Sequence, residues 1–122
     1  MTKSDNKVKG GWGEKHAIKY LKSRGFLIRH TNYRTNLGEL DIVADNIDEL
    51  IFVEVKTRKD NAYGAPCESI TYSKRRKINQ AAAQYIKQYG HYNVAVRFDV
   101  IEVYLDGNVN HLEYAFDSYL RY

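Results

Sequence analysis

Two short apolar runs, each carrying one acid, set the tightest limit on how this chain folds. Gly38-Glu39-Leu40-Asp41-Ile42-Val43-Ala44 and Leu50-Ile51-Phe52-Val53-Glu54-Val55-Lys56-Thr57-Arg58 are rich in Ile and Val, and the polar stretch Asp45-Asn46-Ile47-Asp48-Glu49 parts them. That is the pattern of two strands joined by a turn. A hairpin centred between Ile47 and Asp48 sets Val43 against Phe52, Ile42 against Val53 and Asp41 against Glu54. Directly opposed side chains in an antiparallel pair have Cβ atoms about 4.5–5.5 Å apart, so two carboxylates stand side by side on one face. Lys56 shares that face, about 6.5 Å along the strand from Glu54. A slip of one residue would turn Asp41 to the opposite face.

Such a pair costs stability, because like charges repel and Glu54 interrupts an apolar strand. Two carboxylates this close share a proton or hold a cation between them. Mg²⁺ is commonly held by one or two carboxylates together with waters and phosphate oxygens. A lysine beside such a site stabilises developing negative charge or orients an attacking water. The plainer alternative is a Glu54–Lys56 ion pair on a solvated sheet face, with Asp41 near a strand end. Strand pairing alone leaves both open.

The 122 residues suit one domain with a modest core. Apolar residues make up 43% and proline occurs once, so a folded globule is expected rather than disorder. There are 19 Lys and Arg against 15 Asp and Glu, a net charge of +4 that permits a polyanionic partner without demanding one. The single cysteine, Cys67, has no internal partner for a disulfide, which fits a reducing, cytoplasmic setting. No apolar run approaches the ~18 residues of a membrane span, and no signal-peptide pattern follows Met1. His16, His30, His91 and His111 lack metal-ligand spacing, so zinc is not expected.

Residues 1–9 are polar and are expected as a flexible arm, leaving residues 10–122 as the domain. The spacing of Ala17, Ile18 and Leu21 predicts a helix over Gly13–Arg24, stopped by Gly25. Glu14 falls on the same stripe. It either complements the dipole of the first turn or is a third carboxylate aimed at Asp41 and Glu54. Trp12 reads as a packing anchor. Phe26–Tyr33 is a strand, followed by Arg34 in a loop, where a phosphate contact competes with simple solvation. The long connection over 59–72 holds Tyr63-Gly64-Ala65-Pro66, at the exit of the hairpin.

Ser73–Tyr89 carries the stripe Ile78, Ala81, Ala82, Tyr85, Ile86 and Tyr89, with Ser73 as cap and Gly90 as stop. Its first turn is Lys74-Arg75-Arg76-Lys77, four cations where the macrodipole favours acids. Cations beside the free N–H groups of a helix start make a phosphate cradle. Asn93–Leu105 reads as a strand covered on both faces, with Arg97 and Asp99 paired. Asp106-Gly107-Asn108 turns the chain into a last strand, Val109–Phe116.

The order αβββαββ with an acidic central hairpin resembles the PD-(D/E)XK, restriction-endonuclease-like fold, a mixed sheet of about five strands with helices packed on it. Asp41 followed by Glu54-Val55-Lys56 matches its motif, with Leu40 standing where the superfamily's name has Pro. Gly13-Glu14, Asn32-Tyr33-Arg34, Gly38–Ala44 and Phe52–Arg58 look like the signature of the bacterial YraN family. Tyr63-Gly64, the Lys74 region and Phe98-Asp99-Val100 continue it.

That resemblance implies Glu14, Asp41, Glu54 and Lys56 as the catalytic set. Mg²⁺ or Mn²⁺ would be held by Asp41, Glu54, the Val55 carbonyl and Glu14. The expected activity is phosphodiester hydrolysis in DNA, branched or structured DNA included. Arg34, Arg58, Lys59, Lys74, Arg75, Arg76 and Lys77 are the expected nucleic-acid contacts. A non-catalytic nucleic-acid-binding module that keeps the fold is the alternative, and a homodimer is left open.

Overall fold

The computed structural model describes residues 3–59, 70–90 and 95–117, with side chains from residue 11 onward. In chain order the elements are α1 (Lys3–Ser23), β1 (Leu27–Arg34), β2 (Glu39–Asp45), β3 (Glu49–Arg58), α2 (Tyr72–Tyr89), β4 (Ala95–Tyr104) and β5 (Val109–Phe116). The strands form one sheet in the order β1-β2-β3-β4-β5. Only β3 and β4 run parallel, because α2 crosses over between them while short turns join the others. This mixed five-stranded α/β architecture is that of a restriction-endonuclease-like core.

Each helix covers one face of the sheet, so the apolar residues divide into two layers. Ala17 and Leu21 of α1 pack on Ile42, Ala44, Ile51, Val53, Ile101 and Val103. Ile78, Ala81, Ala82, Tyr85 and Ile86 of α2 pack on Leu40, Val43, Leu50, Phe52, Phe98 and Val100. The period-2 alternation of β3 and β4 feeds both layers at once, which is why both strands read as continuous apolar runs.

Two boundaries differ from the sequence expectation. Helix α1 starts at Lys3 rather than Gly13, so residues 3–9, expected as an arm, belong to the helix. Their polar composition offers no apolar stripe, and periodicity is the main helix signal in sequence. The cap of α2 is Thr71, whose Oγ1 accepts from the Lys74 N–H at 3.1 Å, and Ser73 lies inside the helix. Gly90 ends α2 at φ 77, as the left-handed position after a helix favours glycine. The expected loop features Tyr63–Pro66, Cys67 and His91 lie outside the described residues.

The central hairpin has the expected register. Ile42 faces Val53 and Val43 faces Phe52, and the ladder ends there, one pair before Asp41 and Glu54. The reason is a change of phase in β2. Leu40 belongs to the α2 layer and Ile42 to the α1 layer, although they are two residues apart. The β1 strand changes phase at the same level, where Asn32 stands opposite Asp41 with a left-handed φ of 51. His30 and Tyr33, three residues apart, both reach Tyr85 on the α2 side. Asparagine tolerates that backbone region better than most residues. Pairing between β1 and β2 survives because both strands shift together.

Candidate active site at the splayed ends of β2 and β3

The phase change turns Asp41 out of the ladder and toward β3. Its Oδ2 accepts the Val55 N–H at 2.9 Å, so a side chain takes a bond that a regular strand would have given to backbone. Glu54 stands next to it and is only 5% exposed. Burial first, then the hydrogen bond and charge of Asp41, push the Glu54 carboxyl up to about 10, against the opposing pull of Lys74 and Lys56. At neutral pH Glu54 therefore keeps its proton and shares it with Asp41. Side-by-side carboxylates, expected from the register, are present in this form.

Both acids line a pocket of about 410 Å³ that opens between the two helical layers. Glu54, Lys74, Lys77 and Ile78 line it on the α2 side, and Glu14 and Thr57 on the α1 side. Glu14 accepts from Asn32 Nδ2 at 3.1 Å. Burial raises the Glu14 carboxyl; the Asn32 bond offsets part of that, and the charges of Asp41 and Glu39 add to it. Of the two sequence readings of Glu14, the one that aims it at the other acids matches its position in the same pocket. Among the described residues, however, no three His, Cys, Asp or Glu side chains are drawn close enough to hold an ion by themselves.

Two glycines let the walls approach. A Cβ on Gly13 would collide with the Thr57 hydroxyl, so glycine there lets α1 lie against β3 and carries Glu14 to the pocket. A Cβ on Gly38 would sit 2.8 Å from the Lys77 carbonyl oxygen, a backbone atom that has little room to yield. Gly38→Ala is expected to destabilise the protein by about 1–3 kcal/mol through forced backbone displacement. Urea unfolding monitored by circular dichroism reads this directly, and an unchanged midpoint would show that the wall gives way freely.

The expected cation set divides. Lys74 and Lys77 line the pocket. Lys59 and Arg76 are exposed, and Arg34 is exposed with a 3.5 Å ion pair to Glu39. Arg58 turns instead to the fully buried Glu102, 3.3 Å away. Arg75 donates from Nε to the Ile70 carbonyl at 3.1 Å and lies over the Phe116 ring, away from the acids. Lys56 does not line the pocket, although its charge acts on Glu54. Asn32, Gly38 and Thr57 were not given roles by sequence reasoning. The one available signal was Asn32, a residue type at home with positive φ, inside an otherwise regular strand.

A family model described as "Uncharacterised protein family UPF0102" matches residues 13–103, from the glycine beside Glu14 through β4. The chain belongs to the UPF0102 family. A UPF0102 protein of Clostridioides difficile (strain 630) is 50% identical over 113 residues, covering 92% of this chain and 99% of that one. UPF0102 proteins of Alkaliphilus oremlandii (strain OhILAs) and Clostridium acetobutylicum are 45% and 48% identical, over 91% and 83% of this chain and 99% and 83% of their own. UPF0102 is the family that the YraN resemblance pointed to. No helix among the described UPF0102 residues is long and apolar enough to cross a membrane.

Proposed function

We propose that this chain is a metal-dependent endonuclease that hydrolyses phosphodiester bonds in DNA. The observation that carries the reading is the buried Glu54 beside the half-buried Asp41, with Lys74 and Lys77 lining the same pocket. A sheet gains nothing from burying Glu54 against a second acid, and binding a polyanion does not call for the pair. Hard carboxylate oxygens, with Val55 lining the same pocket, are the donor chemistry that suits Mg²⁺ or Mn²⁺, and the Val55 carbonyl would be a further ligand. When bound, such an ion supplies Lewis acidity to a phosphate and to the attacking water.

Asp41 and Glu54 would hold the ion, and Glu14 would act through a water or toward a second ion. The Asp41 bond to the Val55 N–H fixes the carboxylate's direction beforehand, which spares reorganisation during the reaction. Lys56, outside the pocket lining but near enough for its charge to act on Glu54, would orient the water or neutralise charge growing on the phosphate. Lys74 and Lys77 hold the backbone beside the broken bond, with the exposed Lys59, Arg76 and Arg34 as outer contacts of little base specificity.

A second reading is favoured by one observation: Lys56 is absent from the pocket lining. In it, the chain binds nucleic acid without cutting. Incubating the protein with supercoiled and branched DNA in Mg²⁺ or Mn²⁺ separates the two. Nicking is expected, abolished by EDTA and reduced at least about a hundredfold in Asp41→Ala. Nicking that persists in the Asp41→Ala, Glu54→Ala double variant would remove the acids from the mechanism. Salt-sensitive binding with no cleavage would establish the second reading.

A further inference from the structure

The seam between α2 and β1 leads out of the pocket and carries polar and aromatic side chains that the acids do not use. At its near end the Lys77 carbonyl abuts Gly38. Farther along, Gln84 Nε2 donates to Asn36 Oδ1 at 3.4 Å, and the Tyr33 hydroxyl donates to Gln88 Oε1 at 2.6 Å. At the far end the Tyr89 ring lies 4.7 Å from His30 and 4.6 Å from Tyr85. Tyr85 is buried, whereas Tyr89 is 42% exposed. The axial rise of α2 from Lys77 to Tyr89 is about 18 Å, the length of about five stacked nucleotides of one strand.

The chemistry of this seam suits bases better than phosphates. Its Gln84–Asn36 and Tyr33–Gln88 hydrogen bonds are exposed, and their amide groups match the donors and acceptors of base edges. The nearby acids Glu39 and Asp45 are paired with Arg34 and Arg29, which lessens their repulsion of an incoming strand. The aromatic end presents the partly exposed Tyr89, a ring of the kind on which unpaired bases stack.

We propose that the α2–β1 seam carries an unpaired DNA strand away from the cleft, with Tyr89 as the ring on which one of its bases stacks. This rests on the proposal that DNA reaches the cleft, and it specifies the substrate as DNA with a single-stranded stretch beside the cut. A duplex keeps its bases stacked internally and gains nothing from this ring.

The test is binding in EDTA, by fluorescence anisotropy, of one sequence as a single strand and as a duplex, to the full chain and its Tyr89→Ala and Tyr89→Phe variants. Tyr89→Ala is expected to weaken single-strand binding about tenfold, to leave duplex binding unchanged, and to be rescued by Tyr89→Phe. A 2-aminopurine in the strand is expected to be quenched by the native protein and by Tyr89→Phe but not by Tyr89→Ala. Unchanged single-strand affinity in Tyr89→Ala overturns the proposal, as does an equal loss for both DNA forms. Because nothing is cleaved in EDTA, a failed nuclease assay leaves a positive result here intact. Cleavage that ignores Tyr89 sinks the seam alone.

Discussion

Glu54→Gln is expected to raise the thermal midpoint of the protein in EDTA by about 5–10 °C while removing DNA cleavage, a gain on the order of 2 kcal/mol at pH 7. The sign follows from where the carboxyl titrates. Its native value is about 10 and its ordinary value 4.5. Between those two pH values the unfolded chain binds fewer protons than the native one, so native stability falls as pH rises. The penalty is absent below the ordinary carboxylate range and reaches its full size once pH passes the native value. A neutral amide of the same shape has no such slope. Thermal scans of both proteins from pH 5 to 9 should therefore diverge steadily toward alkaline pH. Mg²⁺ should then stabilise the native protein and not the variant, since a ligand that binds only the folded form adds to its stability. Parallel pH curves would mean that Glu54 already has a compensating partner.

Asp99→Ala is expected to act in the opposite direction and more strongly, with a loss of about 3–5 kcal/mol and a fall of the midpoint by about 10–20 °C. Asp99 is as buried as Glu54, yet its surroundings are the reverse. It accepts from Arg97 Nη2 at 3.0 Å, from the Tyr114 N–H at 3.1 Å, and is 2.7 Å from His111 Nε2. His111 in turn is 3.0 Å from the Tyr20 hydroxyl, which ties β5 to α1. Arg97, only 6% exposed, sits between the Phe26 and Tyr114 rings and also donates to Glu49 at 2.9 Å. Removing Asp99 leaves that guanidinium buried with one of its three carboxylate partners gone. Denaturant titration measures the effect, and a loss below about 1 kcal/mol would show that Glu49 and Glu113 compensate.

The two acids also show what a sequence can reveal. Both stand in apolar strands, and the letters alone do not tell a welcomed carboxylate from a strained one. For Asp99 the neighbouring Arg97, two residues away on the same face, was enough to predict the pair. For Glu54 the decisive partner, Asp41, came from the hairpin register, which alternation and turn placement fixed correctly over Ile42–Val53 and Val43–Phe52. For Glu14 the α1 stripe left two readings open, and the family resemblance rather than the stripe favoured the one that places it with the other acids.

Other features were hidden because they depend on direction rather than position. The cation run at the start of α2 announces charge, but not that Arg75 folds inward onto Phe116 while Lys74 and Lys77 face the acids. Arg58 looked like a surface contact until Glu102, distant in sequence, was placed beside it. The early start of α1 was masked by polar residues that carry no periodic signal. The phase change of β1 was hidden most completely, since it accompanies one backbone torsion, the positive φ of Asn32.

That torsion has a wider consequence. A β-branched residue in place of Asn32 would resist positive φ and favour ordinary extended geometry. The strand would then resume strict alternation, sending Tyr33 to the α1 layer and drawing Asp41 back toward its cross-strand neighbours. Acid pair and aromatic seam would be dismantled in one step, although they lie at different ends of α2. Chemistry and strand guidance are thus inherited as a unit, through a position whose one described side-chain bond goes to Glu14.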